Sequence, residues 1–281
     1  MLFRRYVPAT PLDAFIEDFW LYQDYGGEHA RERILPTGTV EMVFNLQEDE
    51  LRIYGLADDD GCRRFSGAVI SGPYVSAFVS DIEEEAAILG VHFKPGGASA
   101  VLGLPVNALN NTHVDLISLW GREAALVREQ LSSLREPTAR FRLLERVLLQ
   151  RLVDPPGHHR AVCMGLDVLR RTHGRARIAE IAKAMDVSQR RFSHLFAAQV
   201  GMTPKLFARV QRFQHVIGVS DAAPRLDWAQ IALDCGYFDQ AHLIGEFVEF
   251  SGVTPADFRR RRDRLTRAGA HVKRHHLPLL A

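Results

Sequence analysis

The stretch Ile178-Ala-Glu-Ile181-Ala182-Lys-Ala-Met185-Asp-Val187-Ser188-Gln-Arg-Arg-Phe192-Ser-His-Leu195-Phe196, closed by Gly201-Met-Thr203-Pro204, decides the reading of this chain because it is written twice. The second copy is Trp228-Ala-Gln-Ile231-Ala232-Leu-Asp-Cys235-Gly236-Tyr-Phe238-Asp239-Gln-Ala-His-Leu243-Ile-Gly-Glu-Phe247, closed by Gly252-Val-Thr254-Pro255. Ile178, Ile181, Ala182 and Met185 fall at i, i+3, i+4 and i+7, one stripe of a helix. Trp228, Ile231, Ala232 and Cys235 repeat that stripe fifty residues on. Ser188 and Asp239 suit the N-cap of a second helix. Val187 with Phe192, and Phe238 with Leu243, take the N′ and N4 places of a hydrophobic staple. From the cap onward the offset is fifty-one, so the second turn is one residue longer. Gly201 and Gly252 suit a left-handed C′ residue. Thr203-Pro204 and Thr254-Pro255 then start new helices, with threonine as cap and proline at N1.

A helical bundle that merely repeats would need caps and glycines too. It would not need the solvent face of the second helix in copy one. There Gln189, Arg190, Arg191, Ser193 and His194 lie outside the apolar side formed by Phe192, Leu195 and Phe196. A short helix that begins with basic and amide side chains is what insertion into a DNA major groove requires. Charge points the same way. Residues 1–159 hold 15 lysines and arginines against 23 aspartates and glutamates, a balance of −8, whereas residues 160–281 hold 20 against 11, a balance of +9. The basic half is the half with the repeat, as phosphate neutralisation and counterion release demand.

The segment from about 161 to 262 resembles the DNA-binding domain of the AraC/XylS family of bacterial transcription regulators. The likeness rests on Ile181-Ala182 and Ile231-Ala232, on Gly236-Tyr237 followed by Asp239-Gln240, on Phe247, and on Gly252-Val-Thr-Pro-Ala-Asp-Phe258-Arg259. It implies two helix-turn-helix units joined by a long helix near 204–219, with recognition helices at 188–200 and 239–250. These would enter successive major-groove segments about 34 Å apart. Carried over, the base-reading positions are Arg190, Ser193 and His194, with Gln189 near the backbone and Arg191 beside it. In the second unit they are Gln240, Ala241, Ile244 and Gly245, and His242 belongs to the same DNA-binding surface. Ile244 and Gly245 offer no side-chain hydrogen bond, although Ile244 can touch a thymine methyl. The second unit is therefore expected to position the protein more than to identify bases. Arg259-Arg-Arg-Arg262 reads equally as a phosphate contact or as a cationic helix end favoured by the dipole.

The first ninety-odd residues read mostly as strands, at 33–38, 40–46, 51–55, 75–79 and 88–93. Acidic turns at 58–61 and 83–85 separate some of them. After Pro95-Gly96-Gly97 the pattern turns helical, at 98–102, 112–120, 122–134 and 138–153. Asp154-Pro155-Pro156-Gly157 makes the domain boundary. The expected architecture is an α+β two-domain chain. A β-rich, barrel-like N-terminal domain with following helices (1–153) leads through a linker (154–160) to an all-α domain of two helix-turn-helix units (161–265). A basic, aperiodic tail (266–281) is expected to fray.

Ile34-Leu-Pro-Thr-Gly-Thr-Val-Glu41-Met-Val-Phe-Asn45 and Val91-His92-Phe-Lys94-Pro95-Gly96-Gly97 are similar to an uncharacterised N-terminal domain that precedes AraC-type domains. That resemblance implies a sensor or dimerisation role. Glu41 and Asn45 share one strand face and His92 and Lys94 another, so these four are the candidate ligand residues. An outer, solvated face is the favoured reading of them. Trp20, Tyr22, Phe44 and Phe93 read as core rather than as a ligand cage. No metal or cofactor is expected, because the twelve histidines are scattered and the adjacent pairs His158-His159 and His275-His276 point to opposite sides of a strand.

Three dispersed cysteines, Cys62, Cys163 and Cys235, argue against a disulfide framework and for a reducing, cytoplasmic compartment. The start of the chain lacks the apolar stretch of a secretory signal, and no apolar run is long enough to span a bilayer. Double-stranded operator or promoter DNA is the expected partner, with RNA polymerase beside it, and the family leans toward activators. A small-molecule effector and a homodimer stay open. The chain is not expected to be an enzyme. The rival readings are a DNA-repair alkyl-transfer enzyme using Cys62, which lacks companion cysteines, and a ligand-free dimeric DNA binder.

Overall fold

Among the described residues of the first ninety-three there are nine strands: β1 (Leu2–Tyr6), β2 (Ile16–Gln23), β3 (Arg31–Ile34), β4 (Glu41–Asn45), β5 (Glu50–Tyr54), β6 (Arg63–Ser66), β7 (Ala68–Ser71), β8 (Phe78–Asp81) and β9 (Ile88–Phe93). Then come α1 (Ser99–Leu102), β10 (His113–Asp115), α2 (Leu116–Trp120), α3 (Arg122–Ser133) and α4 (Pro137–Arg151). These come from a computed structural model that describes residues 2–23, 31–56, 61–81, 87–152, 159–223, 226–267 and 275–279. The boundary at 154–157, most of the acidic turns at 58–61 and 83–85, and His158 lie outside the described residues.

The strands form two sheets. One runs β1-β2-β9-β4-β7-β10; the other runs β11-β3-β8-β5-β6, with β11 (His276–Pro278) coming from the end of the chain. The barrel-like domain thus takes the form of two open sheets facing each other across a cavity.

β2 shows why parts of this domain escape a pattern search. Phe19 and Leu21 are fully buried against the helices, in one core with Phe44, Leu131, Phe141, Leu144 and Leu148. Trp20 and Tyr22, on the opposite face, are buried against the cavity. A strand covered on both sides has no polar face, so its sequence does not alternate. Burying a side chain such as Phe19 or Phe44 completely is worth ~1.5–3 kcal/mol. Trp20 lies across Gly90 of β9, its direct partner. A Cβ on Gly90 would stand 2.1 Å from the Trp20 ring, so only glycine fits there.

The strand expected at 75–79 begins later, at Phe78. The Val75 amide donates to the Asn111 side chain at 2.8 Å, and the Ala77 amide donates to the Phe250 carbonyl at 2.7 Å. Those donors are spent on tertiary partners instead of a ladder. The helix expected at 112–120 opens as β10, because His113–Asp115 pairs with β7 before the chain coils.

The second half is helical: α5 (Arg160–Arg171), α6 (Ile178–Ala184), α7 (Gln189–Val200), α8 (Pro204–Ala222), α9 (Trp228–Asp234), α10 (Gln240–Ser251) and α11 (Pro255–Arg267). α6 with α7 and α9 with α10 are the two helix-turn-helix units, and α8 joins them. Their core includes Phe192, Phe196, Phe207, Phe213, Phe247, Phe250 and Phe258, with Leu35, Ala77 and Leu277 contributed from outside the helical segment.

The tail departs from its expectation. Residues 275–279 do not fray: His276, Leu277 and Pro278 pair with Ile34, Arg33 and Glu32 of β3. Leu277 is completely buried, and the Leu279 amide donates to the Arg31 carbonyl. β3 would otherwise be an edge strand with open backbone groups, and the tail covers it.

Candidate nucleic-acid interface and ligand cavity

The local signals at both units act as their residue types dictate. Ser188 accepts from the Arg191 amide, and Asp239 from the His242 amide. Gly201 and Gly252 take left-handed conformations at φ 92° and 71°. Thr203 caps α8 through the Leu206 amide, and Thr254 accepts from the Asp257 amide.

The second staple is a correction. Phe238 is 85% exposed, while Tyr237 is buried. The reason is the extra residue. Val187 donates its amide to the Ala182 carbonyl, and the equivalent bond in copy two runs from Tyr237 to Ala232. Asp186 and Gly236, one position earlier, both have positive φ, at 53° and 81°. Tyr237 therefore fills the place of Val187, and the inserted Phe238 is pushed into solvent just ahead of α10.

On α7, Gln189, Arg190, Arg191 and His194 are exposed and Ser193 is half-buried. On α10, Gln240, Ala241, His242 and Gly245 are exposed and Ile244 is half-buried. The starts of both helices thus face outward, but with different chemistry. Arg190, Ser193 and His194 stand where α10 has Ala241, Ile244 and Gly245.

One strong anchor of α10 is absent from the sequence reading. Glu246, a buried carboxylate, accepts from Arg209 at 2.7 Å and lies 3.5 Å from Arg212, both on α8. Arg209 also reaches Glu249. The first unit has Leu195 at the corresponding place. A carboxylate among core residues of a repeat is a signal that could have been read, because only a paired partner makes its burial tolerable.

The N-terminal domain braces the opposite ends of both recognition helices. A Cβ on Gly201, at the end of α7, would lie 2.4 Å from Pro73 and 2.9 Å from Val106. At the end of α10, Arg33 donates to the Ser251 carbonyl at 2.9 Å, beside the bond from Ala77 to Phe250. Gln214 of α8 donates to the Pro36 carbonyl at 2.7 Å.

The cavity between the sheets has a volume of about 140 Å³. Its wall is mainly apolar and includes Trp20, Tyr22, Val69, Phe78, Glu41 and His113. Trp20 and Tyr22, read above as core, in fact line it. Of the four candidate ligand residues only Glu41 does. His92 stands directly opposite Glu41 in the β4–β9 register, with its Nε2 2.6 Å from the carboxylate. Asn45 is turned to its own loop, accepting from the Gln47 and Glu48 amides. Lys94 donates to the Asp13 carbonyl at 2.6 Å. Asn45 thus holds its own turn, and Lys94 ties the end of β9 to the segment ahead of β2.

Burial pushes the His113 imidazole down to about 3, with Arg63 adding to the effect, so this ring is neutral in the folded protein. Its Nδ1 meets the hydroxyl of Tyr74, whose own pKa burial raises to about 12. Cys62 and Cys163 are exposed, and Cys235 is buried with its thiol pushed up to about 11. Among the described residues no helix is long and apolar enough to cross a membrane.

Residues 4–115 match the profile of a family described as a domain of unknown function, DUF6597, and residues 181–261 match a helix-turn-helix domain. No curated protein matches the sequence. Among solved structures, an apo form of ToxT from Vibrio cholerae is similar over 86% of this chain and 96% of its own, at 11% identity and a TM-score of 0.45. ToxT with a bound unsaturated fatty acid is similar over 86% of this chain and 93% of its own, at 10% identity and a TM-score of 0.44. The C-terminal domain of AraT, a response regulator from Geobacillus stearothermophilus, covers 37% of this chain and 87% of its own, at 18% identity and a TM-score of 0.35. The chain thus joins an N-terminal segment that matches the DUF6597 profile to a C-terminal segment that matches a helix-turn-helix domain.

Proposed function

We propose that this regulator identifies its operator mainly with α7, anchors itself with α10, and senses a small effector in the cavity between its sheets. The observation that carries the reading is the contrast between the outward faces of the two helices. Arg190 offers a bidentate donor pair for a guanine edge, with Ser193 and His194 beside it. Gln189 and Arg191 sit where a helix start meets the phosphate backbone. Gln240, Ala241, His242, Ile244 and Gly245 form the second surface, with Gln240 and His242 directed to the backbone and Ile244 to a thymine methyl. The effector is a compact, largely apolar molecule of about one aromatic ring, since an apolar cavity near 150 Å³ is known to accept benzene. The protein acts without catalysis, in the cytoplasm, as an activator that meets RNA polymerase at the promoter. A homodimer through α3 and α4 is compatible with this arrangement.

Footprinting of the full-length protein on genomic DNA tests the reading. Protection of about two helical turns, ~20 base pairs on one DNA face, is expected at selected sites. Equal protection of unrelated DNA would overturn sequence-specific reading. A rise in melting temperature with one member of a metabolite panel is expected from mass action, and its loss in Tyr22→Ala locates the binding in the cavity.

A further inference from the structure

A second cluster gathers where the end of the chain meets the N-terminal sheet. Glu41 of β4 and His92 of β9 face each other, Oε1 to Nε2 at 2.6 Å. His275, the residue before β11, brings its Nε2 to 3.7 Å from the same carboxylate oxygen. One donor atom from each of the three lies within 4.8 Å of the others. The two imidazole rings stand 5.3 Å apart. Asp18 lies behind His92, with Oδ1 3.6 Å from Nδ1, and Arg5 donates to Asp18 at 2.6 Å.

We propose that Glu41, His92 and His275 bind one divalent transition-metal ion of the zinc class and so fasten the chain end to the N-terminal sheet. Two imidazoles and a carboxylate form a donor set suited to such an ion, and unsuited to calcium or magnesium. Zinc bonds of about 2.0–2.2 Å at tetrahedral angles set ligand atoms roughly 3.3–3.5 Å apart. The Glu41–His275 separation is already close to that. The Glu41–His92 pair opens by less than about 1 Å once the metal replaces their shared proton, which is released to solvent. Asp18 stands where an outer-shell partner belongs: drawn in from 3.6 Å, its carboxylate would accept from Nδ1–H and fix the tautomer that leaves Nε2 free to ligate. Three protein ligands leave a fourth position for water or a small molecule, as in open zinc sites. Glu41 also lines the cavity. The three ligands come from segments more than forty residues apart, one of them beyond the DNA-binding domain. An ion here would tie that far segment to the sheet that frames the cavity.

The test uses the full-length protein, stripped with a chelator and titrated calorimetrically with Zn²⁺. One ion per chain is expected, with a rise in melting temperature. Co²⁺ in its place should give visible d–d bands. His275→Ala, close to the end of the chain and checked for fold by circular dichroism, should abolish those bands. It should also weaken zinc binding by more than the ~10–100-fold that loss of an outer-shell partner costs. Asp18→Asn should fall within that ~10–100-fold range. The Cys62→Ser/Cys163→Ser double variant should bind zinc as the parent does. The proposal is overturned if the parent shows no saturable 1:1 binding, if His275→Ala weakens it by no more than that ~10–100-fold range, or if it disappears in the cysteine variant. Absence of 1:1 binding would leave the cluster a hydrogen-bonded latch without metal.

Discussion

The two helix-turn-helix units share a scaffold and part company at its surface. Phe196 and Phe247 occupy equivalent places and are both buried. Ala182 and Ala232 allow the same close crossing, and Ser188 and Asp239 make the same cap. Outside that frame, Arg190 faces Ala241 in the comparison, His194 faces Gly245, and Leu195 faces Glu246. Core positions of a repeat are tied to one another by packing, whereas outward positions answer only to their partner. The difference teaches that duplication copied a fold, and that reading and anchoring are separable tasks laid on it.

The sharpest way to break the shared scaffold is through its core. Phe196→Ala and Phe247→Ala should each lose about 3–5 kcal/mol in urea denaturation, by lost transfer energy and cavity formation. A loss below about 1 kcal/mol at either one would show that the two cores are not equivalent.

Next comes the anchoring ion pair, where the units are built differently. Glu246→Ala should cost ~3 kcal/mol, because Arg209 and Arg212 lose a buried partner. Leu195→Ala, at a half-buried position, should cost less. Equal losses in chemical denaturation would mean that the carboxylate does not tie α10 to α8.

Acid should act on the brace common to both units. The neutral His113 ring meets Tyr74, within the loop whose Pro73 touches Gly201 and whose Ala77 bonds to Phe250. Its folded pKa of about 3 lies below the ordinary value of 6.5, so the unfolded chain takes up a proton first as pH falls. Stability from this group is complete above about pH 6.5 and is lost toward pH 3, by about 1.4 kcal/mol per unit, or about 2 kcal/mol at pH 5. Denaturation from pH 7 to 5 should show that slope, and His113→Gln should flatten it. An unchanged slope in the variant would place the acid sensitivity elsewhere.

For the reading faces, Arg190→Ala should lose ~1–3 kcal/mol at one operator position and relax discrimination there. Gln240→Ala should weaken all sequences alike. Uniform weakening by Arg190→Ala would make it a phosphate contact and erase the contrast. The smallest effect belongs to the turn. Phe238→Ala should change stability by less than about 0.5 kcal/mol, as expected of an exposed site. Tyr237→Ala should cost several times that. The reverse order would restore Phe238 to the staple.

Much of the helical half was legible. Caps, stripes and the Gly-x-Thr-Pro closures are local devices whose meaning depends on a few neighbours, so the residues alone reveal them. The inserted residue was legible too, as a change of offset, but not its outcome, because Tyr237 and Phe238 are both large and apolar and only packing chooses between them. In the β-rich half, β4 and β9 stood out while β1, β2, β6 and β7 did not. β2 is buried on both faces, and β6 is a short, polar edge strand. Glu41 and His92 were both singled out, each on its own strand, but their facing positions follow from the β4–β9 register. Asn45 and Lys94 shared their strand faces but are taken up by nearby backbone.

The sequence by itself determined that two helix-turn-helix units follow a β-rich domain, and that the first carries the basic face. Those properties follow from periodicity, capping and charge, which act over one or two helical turns. Only the tertiary structure decided that the tail covers β3, that Trp20 and Tyr22 line a cavity, and that His275 comes to rest beside Glu41 and His92. Such meetings join residues up to more than two hundred positions apart. They are fixed by open strand edges and buried apolar area, which no local window contains.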